Sequence, residues 1–411
     1  MNRIRVRSRS GATLAAGAIV LLVALTGCGG GGSDDAGSSS TPGVTASSIT
    51  LGGTTPLSGP LGAGCHRIDG ATAAWLKYVN AKGGVNGRTI QWEPMDDAYD
   101  PARAAANART LVAGDNFAIF GGCGSLQPPA IMPIAQAAEV PYLFPIAPIP
   151  DIYTPTKPGI FAARPSYGDA FVALLPEAFS TYGPGNVSSM LIQAPGMDAA
   201  TAQMKTLVED AGKQFTDNGL ITAGTADFTP YVLKLKEQAP DYVVTNLTTG
   251  DAAKFLATAA EAGFSPGKMY LNTSSMADVS VTGQFQNGAQ NSLANKLLVT
   301  SEVVPASDPA SADCIAAIKE YAPDLSPDTT SLTGCLVGEY LTSAIEKTPE
   351  PFTRDSFIKT LESLDKVPLA PNAAPVSMSS TNHLATTALN ILQLGNDGAF
   401  AKVGEVTVGA S

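Results

Sequence analysis

The chain has 411 residues and a formal net charge of −11, with 25 Lys and Arg against 36 Asp and Glu. An acidic balance without a basic stripe argues against nucleic-acid binding. Only 15 % of the residues are charged, so the acid is spread thinly and does not form a disordered tail. The length exceeds that of a small single-core domain and is comfortable for two domains.

The first 27 residues have the layout of an export signal. A head with four arginines precedes an apolar stretch from Leu14 to Leu25, which is too short to span a membrane. Leu25-Thr26-Gly27-Cys28 follows and resembles the lipobox of bacterial lipoproteins, in which the equivalent of Cys28 receives the lipid and becomes the mature N-terminus. The alternative is a plain signal peptide followed by a chance cysteine. We expect an exported protein that is anchored to the membrane through Cys28.

Residues 28–47 consist almost entirely of Gly, Ser, Asp, Thr and Ala, with no apolar period. Such a segment buries too little apolar surface to offset the entropy of ordering it, so we expect a flexible tether. No later run of the sequence approaches the ~20 apolar residues that a spanning helix needs.

Cysteine usage agrees with export. The sequence has five cysteines, namely Cys28, Cys65, Cys123, Cys314 and Cys335. If Cys28 carries the lipid, four remain, an even number in an oxidising compartment. Of the three possible pairings we favour Cys65–Cys123, between two loops that follow adjacent strands, and Cys314–Cys335, between two neighbouring helices. Buried free thiols are the alternative, and a zinc site is not expected because no two cysteines have Cys-x2-4-Cys spacing.

Apolar runs typical of strands alternate with helical patterns along the rest of the chain. The first series predicts strands at 49–52, 89–94, 117–120 and 142–144 and helices at 68–80, 101–113 and 131–138. The second series predicts strands at 187–192, 220–222, 242–245 and 268–271 and helices at 198–215, 229–238 and 251–262. Further helices are predicted at 314–321, 332–346 and 354–364, and strands at 388–394 and 402–408. This alternation predicts right-handed crossovers and two doubly wound α/β domains whose parallel sheets are covered on both faces.

Short motifs occur at intervals through this region. They are Thr55-Pro56-Leu57-Ser58-Gly59-Pro60, the run from Asn80 to Arg88, Asp96-Asp97 with Pro101 after it, Gly121-Gly122-Cys123-Gly124-Ser125, Val140-Pro141-Tyr142-Leu143-Phe144-Pro145, Asp227-Phe228-Thr229, Ala262-Gly263-Phe264 and Asn382-His383. Their order and spacing resemble the leucine/isoleucine/valine-type periplasmic binding proteins, the substrate receptors of ABC importers. The likeness covers roughly residues 48–411. No single motif is specific to that family, but their order along the chain is.

The resemblance implies a type I periplasmic-binding-protein fold, in which two doubly wound parallel-sheet lobes enclose a ligand cleft. Three chain crossings join the lobes in that family, and we place them near Arg164, Ser301 and Val367. The expected division is residues 1–27 for the signal peptide, 28–47 for the tether, 48–164 plus 302–367 for lobe 1, and 165–301 plus 368–411 for lobe 2. The ligand would lie outside the carboxyl ends of the strands, and hinge bending would bury it.

Two loops of lobe 1 match the places where relatives hold a ligand carboxylate. Gly124 and Ser125 match the first loop. There the Ser125 hydroxyl can donate to the carboxylate, and the helix beginning near Gln127 points its positive N-terminal end at the same place. The alternative for Ser125 is a helix N-cap. In the second loop the backbone N–H of Ile146 could serve, whereas Pro148 stands where relatives often have threonine and lacks that hydroxyl. This departure weakens the carboxylate interpretation.

Lobe 2 departs further from the relatives that bind amino acids. Ser274 falls where those proteins place an acid against the ligand ammonium, and a buried ammonium without an anionic partner is costly. Met197 and Leu247-Thr248 occupy loops in which tyrosines are common. An amide, a small organic or aromatic acid, or another neutral polar molecule therefore fits at least as well as a free α-amino acid.

Four further residues near the expected cleft have two interpretations each. Asp198 or Asp251 could pair with an amine, but each also stands at a helix start where it can cap the helix. His66 or Arg67 could meet an anion, or they could form a solvated or structural pair. These alternatives stay open at the level of the sequence.

Motifs of the common enzyme classes are missing from the sequence. No Gly-x-Ser-x-Gly, His-Glu-x-x-His or Walker pattern occurs. Ser-x-x-Lys occurs at Ser265 and Ser363, but one match is a turn and the other the end of a predicted helix. With two histidines, the chain has few side chains that can exchange a proton near neutral pH. We therefore expect no catalysis, no cofactor and no metal.

Together these features predict an extracytoplasmic substrate-binding lipoprotein of an ABC importer, which captures a small polar solute by lobe closure. Its expected partners are that solute, the permease and ATPase subunits implied by the resemblance, and the membrane reached through Cys28. It is expected as a monomer on the outer side of the cytoplasmic membrane, without nucleic acid. The alternative is a ligand-sensing or interaction lipoprotein of the same fold that is not coupled to transport.

Overall fold

The computed structural model describes residues 41–59, 61–273, 276–277 and 293–408. The expected signal peptide, the lipidation site Cys28, most of the tether and the candidate residue Ser274 lie outside these described residues. Among the described helices, no helix combines the length and the apolar character that crossing a membrane requires.

The first sheet is wholly parallel and has five strands in the order β2-β1-β3-β4-β5. The strands are β1 Ser48–Thr55, β2 Thr89–Asp96, β3 Ile119–Phe120, β4 Tyr142–Leu143 and β5 Ile160–Phe161. The helices that pack on it are α1 Gly62–Ala81, α2 Pro101–Ala113, α3 Pro128–Ala137, α8 Ala312–Tyr321, α9 Thr329–Lys347 and α10 Arg354–Leu361. We call this sheet with its helices the first lobe.

The second sheet has seven strands in the order β12-β11-β10-β9-β8-β6-β7. The strands are β6 Val187–Ile192, β7 Phe215–Ile221, β8 Tyr242–Thr245, β9 Met269–Thr273, β10 Leu297–Ser301, β11 Ala388–Leu394 and β12 Phe400–Thr407. The helices that pack on it are α4 Tyr167–Tyr182, α5 Met197–Asp210, α6 Thr229–Gln238 and α7 Thr249–Glu261. The strands from β6 to β10 pair in parallel, as the alternation of strands and helices predicts.

Local signals explain where several helices begin. Asp100 precedes α2, and its side chain accepts from the backbone N–H groups of Ala102 and Arg103. Proline is tolerated at the first helical position, Pro101, because an N–H at that position would have no partner within the helix. Thr353 and Ser356 form a reciprocal capping box at the start of α10. These caps satisfy backbone donors that the first turn of a helix leaves unpaired.

Helices cover both faces of both sheets. One apolar cluster joins α1, α8, α9 and α10 to the first sheet. Another includes residues of α2 and α3 together with residues of α4 and α5, and a third lies under α6 and α7. Because the central strands are covered on both sides, β6, β8, β9 and β10 are buried along their whole length. The predicted fold class of two doubly wound parallel-sheet lobes is confirmed.

The structure corrects several element predictions. The strands β11 and β12 form an antiparallel hairpin beside β10, because a turn ending at Gly398, with φ of +80°, folds the chain straight back. The helix α4, which contains Pro176, and the strand β10 were not predicted. The predicted helix 198–215 ends at Asp210, and Phe215 instead begins β7.

Both favoured disulfides are confirmed. Cys65 pairs with Cys123 and Cys314 with Cys335, with Cα atoms 5.6 and 5.8 Å apart. The predicted setting of Cys65 was wrong, because α1 begins at Gly62, six residues before the predicted start, and places Cys65 in its first turn. The first disulfide therefore joins a helix to a loop.

The lobe boundaries stay a prediction. Leu369, Ala370, Val376 and Met378 belong to the apolar cluster of the first sheet, although the expected division assigned 368–411 to lobe 2. This packing favours a third crossing later than Val367, shortly before β11 begins.

Candidate ligand-binding site

The two sheets share one topological feature that defines a candidate site. In the first sheet β1 lies between β2 and β3, and in the second β6 lies between β7 and β8. The direction in which the chain winds therefore reverses between β1 and β3 and again between β6 and β8. Open parallel sheets bind ligands outside the carboxyl ends of the strands at such switch points. The loops that follow β1, β3, β6 and β8 are thus the candidate site.

The predicted residues of the first lobe lie at its switch point and on the neighbouring strand. Gly124 and Ser125 follow β3, and Ile146 and Pro148 follow β4. The two loops are hydrogen-bonded to each other: the Gly124 N–H donates to the Ile146 carbonyl at 3.0 Å, and the Ile146 N–H donates to the Gly122 carbonyl at 2.8 Å. In this conformation the Ile146 N–H, predicted as a ligand donor, is occupied by the protein itself.

A buried acid supports the loop that carries Ser125. Asp97 is completely buried and accepts from the Thr54 hydroxyl at 3.0 Å, from the Gln127 side-chain amide at 3.2 Å and from the Tyr99 backbone N–H at 2.9 Å. Burial raises the pKa of Asp97, whereas the three donors act in the opposite direction. We call Thr54, Asp97, Tyr99 and Gln127 the Asp97 frame.

Gly124 packs directly on this frame. Its φ of +112° is a conformation that side-chain-bearing residues rarely adopt. A Cβ at this position would lie 2.7 Å from both Gln127 Oε1 and Tyr99 Cε2. Burial raises the pKa of the Tyr99 hydroxyl, and the backbone of the next residue, Ser125, acts in the opposite direction. The frame therefore fixes the backbone that presents the Ser125 hydroxyl.

The Ser125 hydroxyl remains the candidate donor of this loop. Ser125 is 9 % exposed, and its side chain makes no hydrogen bond within the described residues. The helix α3 begins at Pro128 with Gln127 as N-cap, and no side chain caps it. The alternative interpretation of Ser125 as a helix cap is therefore not supported, and its role toward a ligand stays a prediction.

A second acid lies beneath the end of β1. Asp69 of α1 accepts from the Thr55 hydroxyl at 2.8 Å. Burial raises its pKa to about 7, and the neighbouring Asp97 contributes in the same direction. The Cys65–Cys123 disulfide ties the same helix to the loop after β3. Two acids and a disulfide thus surround the first switch point.

In the second lobe the candidate side chains are buried or hydrogen-bonded within the lobe itself. Met197 begins α5 and is 1 % exposed, and Leu247 is completely buried in the core under α6 and α7. Thr248 is the N-cap of α7: its hydroxyl oxygen accepts from the Asp251 N–H at 3.2 Å and also lies 2.9 Å from Asp251 Oδ2. These residues are at the second switch point, but their side chains also serve the local fold.

Asn246 was not singled out in the sequence, although it joins the two strands of the second switch point. Its side-chain oxygen accepts from the Ile192 N–H at 2.6 Å, and its amide nitrogen lies 3.3 Å from the Ile192 carbonyl and from Met197 Sδ. A polar residue directly after the apolar run Tyr242–Thr245 is the signal that could have identified it.

The structure gives structural partners to two of the four charged residues whose roles were left open, Arg67 and Asp251. Arg67 forms an ion pair with Asp328, which caps α9, so it has a structural partner. His66 and Asp198 are exposed. Asp251 is buried and also accepts from the Gly224 N–H at 2.9 Å, which favours a structural role.

Where the chain passes between the sheets, a buried ion pair joins two of the predicted crossings. Arg164 follows β5, Glu302 follows β10, and their Nη2 and Oε1 atoms lie 2.8 Å apart. A second approach of the two lobes is at Gly196, where a Cβ would lie 2.9 Å from ring carbons of Pro150. The loop after β6 in the second lobe therefore approaches the segment after β4 in the first.

Within the described residues no cluster of three His, Cys, Asp or Glu side chains could hold a metal ion. The loops offer a serine hydroxyl, backbone groups, a methionine and two buried carboxylates. Such groups can select a small molecule by shape, hydrogen bonding and charge.

Residues 48–399 match the model of a family described as periplasmic binding protein. A Leu/Ile/Val-binding protein homolog 7 from Brucella abortus is 28 % identical over 229 residues, which are 53 % of this chain and 57 % of that protein. A leucine-, isoleucine-, valine-, threonine- and alanine-binding protein from Pseudomonas aeruginosa is 29 % identical over 47 % of this chain and 52 % of its own length. The chain thus spans about half the length of these curated relatives.

Solved structures are similar over most of the chain. A fatty acid ABC transporter substrate-binding protein from Thermomonospora curvata has a TM-score of 0.76 at 20 % identity, covering 90 % of this chain and 95 % of that one. A branched-chain amino acid ABC transporter from Thermus thermophilus with bound valine has a TM-score of 0.75 at 18 % identity, covering 88 % and 96 %. At these identities the likeness is one of fold.

Proposed function

Because this chain belongs to the periplasmic binding protein family, we propose that it is the extracytoplasmic solute receptor of an ABC importer. It captures a small polar solute between its two lobes and delivers that solute to permease and ATPase subunits. The candidate solutes are branched-chain amino-acid-like molecules, amides and organic acids. The relatives that bind amino acids and the structural neighbour that handles fatty acids support this range of small ligands.

The observation that carries the proposal is the pair of switch points. In each lobe the winding reverses at the first strand of the sheet, β1 or β6, and the predicted ligand residues that the structure describes fall on the loops at those points or on the loop after β4. The contact between Gly196 and Pro150 brings loops of the two lobes together. A ligand held by both sets of loops stabilises the closed arrangement only by its preference for that arrangement.

The segments between the lobes suit hinge bending. The Arg164–Glu302 pair joins two of them, and removal of one partner would leave a buried charge without its counterion. Such a pair holds the crossings together while φ and ψ of neighbouring residues absorb the motion.

The proposed location is the outer face of the cytoplasmic membrane. Cys28 would carry the lipid, and residues 28–47 would let the folded part move freely near the membrane surface. One acyl chain binds a membrane reversibly, whereas several chains anchor a protein firmly.

The first experiment is a ligand screen by thermal unfolding. Residues 34–411, expressed in an oxidising compartment, are melted in the presence of amino acids, amides, organic acids and sugars. A ligand at 100 times its dissociation constant adds roughly 2.7 kcal/mol to the free energy of unfolding, which shifts Tm by a few degrees at least. A hit supports a solute receptor and identifies the chemical class of its ligand.

The negative outcome is equally informative. If folded protein shows no shift across the whole screen, the solute-receptor proposal fails and the alternative of an interaction lipoprotein takes its place. L-leucine is part of the screen because Ser274 stands where an acid would pair with the ammonium group. Tight binding of L-leucine would contradict that assignment of Ser274.

A further inference from the structure

We propose that His383 is held as a charged imidazolium on the segment that leads from the first lobe into β11, and that this charge makes the hinge between the lobes sensitive to pH. The inference goes beyond the proposed function and does not depend on the identity of the ligand. It rests on the partners of both ring nitrogens and on the backbone pairing of the same residue.

Both ring nitrogens of His383 have hydrogen-bond acceptors as partners. Nδ1 lies 2.8 Å from the Ile160 carbonyl oxygen and 3.1 Å from the Lys157 carbonyl oxygen. Nε2 lies 3.1 Å from Oε1 of Glu362, the C-cap residue of α10. A neutral imidazole has one N–H group and one bare nitrogen, whereas an imidazolium has two N–H groups. The charged ring can therefore donate in both directions at once.

The surroundings favour the proton on the ring over a proton on the acid. The Glu362 side chain is 27 % exposed, so water can solvate its carboxylate, whereas His383 is 1 % exposed and would bury a bare nitrogen against an acceptor. The negative end of the α10 dipole lies on the same side as Glu362 and also favours a cation. Lys157 carries a charge too, but its Nζ donates to the Asp151 and Pro155 carbonyls.

The backbone of His383 joins two of the segments that connect the lobes. Its carbonyl accepts from the Ala162 N–H at 2.9 Å, and the Ala162 carbonyl accepts from the Ala385 N–H at 2.9 Å. The His383 ring stacks on Phe161 of β5, with the ring centroids 4.1 Å apart. Ring and backbone thus fasten two segments at which hinge bending is proposed. Loss of the proton leaves one nitrogen facing an acceptor without a hydrogen, which weakens this fastening.

Nitrogen NMR of the wild type tests the charge directly. The chain has two histidines, so nitrogen-15 histidine in residues 34–411 gives two ring systems, and the exposed His66 is the internal reference. Chemical shifts of ring nitrogens distinguish N–H from bare nitrogen, and His66→Gln assigns the signals. At pH 7.5 His383 should have a proton on both nitrogens and His66 on one. A bare nitrogen on His383 at that pH overturns the inference.

Hydrogen exchange tests the fastening. Protection factors of the Ala162 and Ala385 amides already exclude the intrinsic effect of pH on exchange. Across the pH range in which the His383 ring loses its proton, these factors should fall about tenfold, which corresponds to one hydrogen bond to a charged group. Amides of the buried strand β6 are the reference in the same sample. If the Ala162 and Ala385 amides lose no more protection than β6, the role of His383 in the hinge is overturned.

Glu362→Gln tests the counterion. Glutamine has nearly the same size, and its amide can donate to a bare Nε2, so the variant removes the reason for the charge and keeps a partner for the ring. His383 should then be neutral at pH 7.5, and the protection of the Ala162 and Ala385 amides should no longer depend on pH. Glu346→Gln changes an exposed acid of α9 in the same lobe, and this matched control should behave as the wild type. A ring that stays doubly protonated in Glu362→Gln contradicts the assigned counterion.

Discussion

Two regions of the first lobe each contain one disulfide and one or more buried acids, but they hold them in different ways. The cleft edge is the Asp97 frame with Gly124 and the Cys65–Cys123 disulfide; its acid accepts three hydrogen bonds. The helix seam is the contact of α1, α8 and α9 around Gly334 and the Cys314–Cys335 disulfide.

The buried acid of the helix seam lacks the hydrogen bonds that Asp97 has at the cleft edge. Glu339 of α9 is 1 % exposed, and neither of its carboxyl oxygens has a hydrogen-bond partner in the described part of the chain. The cleft edge is thus a polar network that fixes a loop, whereas the seam is close apolar packing that contains an unsatisfied acid. Paired substitutions should separate binding from stability: changes at the cleft edge affect both, and changes at the seam affect stability alone.

The largest effects are expected from removal of the disulfides. Cys65→Ser with Cys123→Ser opens a cross-link between residues 58 apart, which should cost about 4 kcal/mol of unfolding free energy. Cys314→Ser with Cys335→Ser opens one between residues 21 apart and should cost about 3 kcal/mol. Urea unfolding measures both. Ligand affinity should fall only in the variant without the Cys65–Cys123 disulfide. Equal losses of affinity in both variants would show that the Cys314–Cys335 disulfide also supports ligand binding.

The glycines of the two regions provide a second pair. In Gly334→Ala the new methyl group would meet the Ile68 carbonyl oxygen at 2.1 Å, so α1 and α9 must move apart at a cost of about 3 kcal/mol. In Gly124→Ala the methyl group meets side-chain atoms that can move, but φ of +112° adds strain, for a total of about 2 kcal/mol. Chemical denaturation should show the smaller loss of stability in Gly124→Ala. Ligand titration should show the larger loss of affinity in the same variant.

Removal of the seam acid should make stability less dependent on pH. Burial, with a smaller contribution from Asp313, raises the pKa of Glu339 to about 8. The folded protein therefore holds a proton that the unfolded chain releases, and wild-type stability declines as pH rises from about 4.5 to 8. Glu339→Gln should be about 2 kcal/mol more stable than wild type at pH 9, with a smaller difference at pH 6. A difference that does not grow with pH would contradict the assignment.

The smallest effects are expected from two buried threonine hydroxyls. Thr54 donates to the Asp97 carboxylate, and Thr72 of α1 donates to the Gly334 carbonyl at 2.8 Å. Because a bond to a charged acceptor is worth more, Thr54→Val should cost about 1.5 kcal/mol and Thr72→Val about 1 kcal/mol. Hydrogen exchange of the 121–127 amides should accelerate only in Thr54→Val. Faster exchange there in Thr72→Val would show that the seam also supports the loop.

The sequence determined the features that depend on local pattern. Alternating strands and helices predicted two doubly wound lobes, because the period of apolar residues and the caps act within a few residues. The bounds of β6, α6 and β8 agree with prediction to the residue. Counting of cysteines reduced the disulfides to three pairings, and the favoured one is present.

Only the tertiary structure decided which groups the candidate residues contact. Asp97 lies at the end of a strand whose neighbours come from elsewhere in the chain, so nothing local shows that its carboxylate supports Gln127, 30 residues away. The occupied N–H of Ile146 and the Arg67–Asp328 pair likewise depend on contacts between distant segments. The antiparallel β11 and β12 follow the same rule, because a strand's direction is set by the edge it joins and not by its own residues.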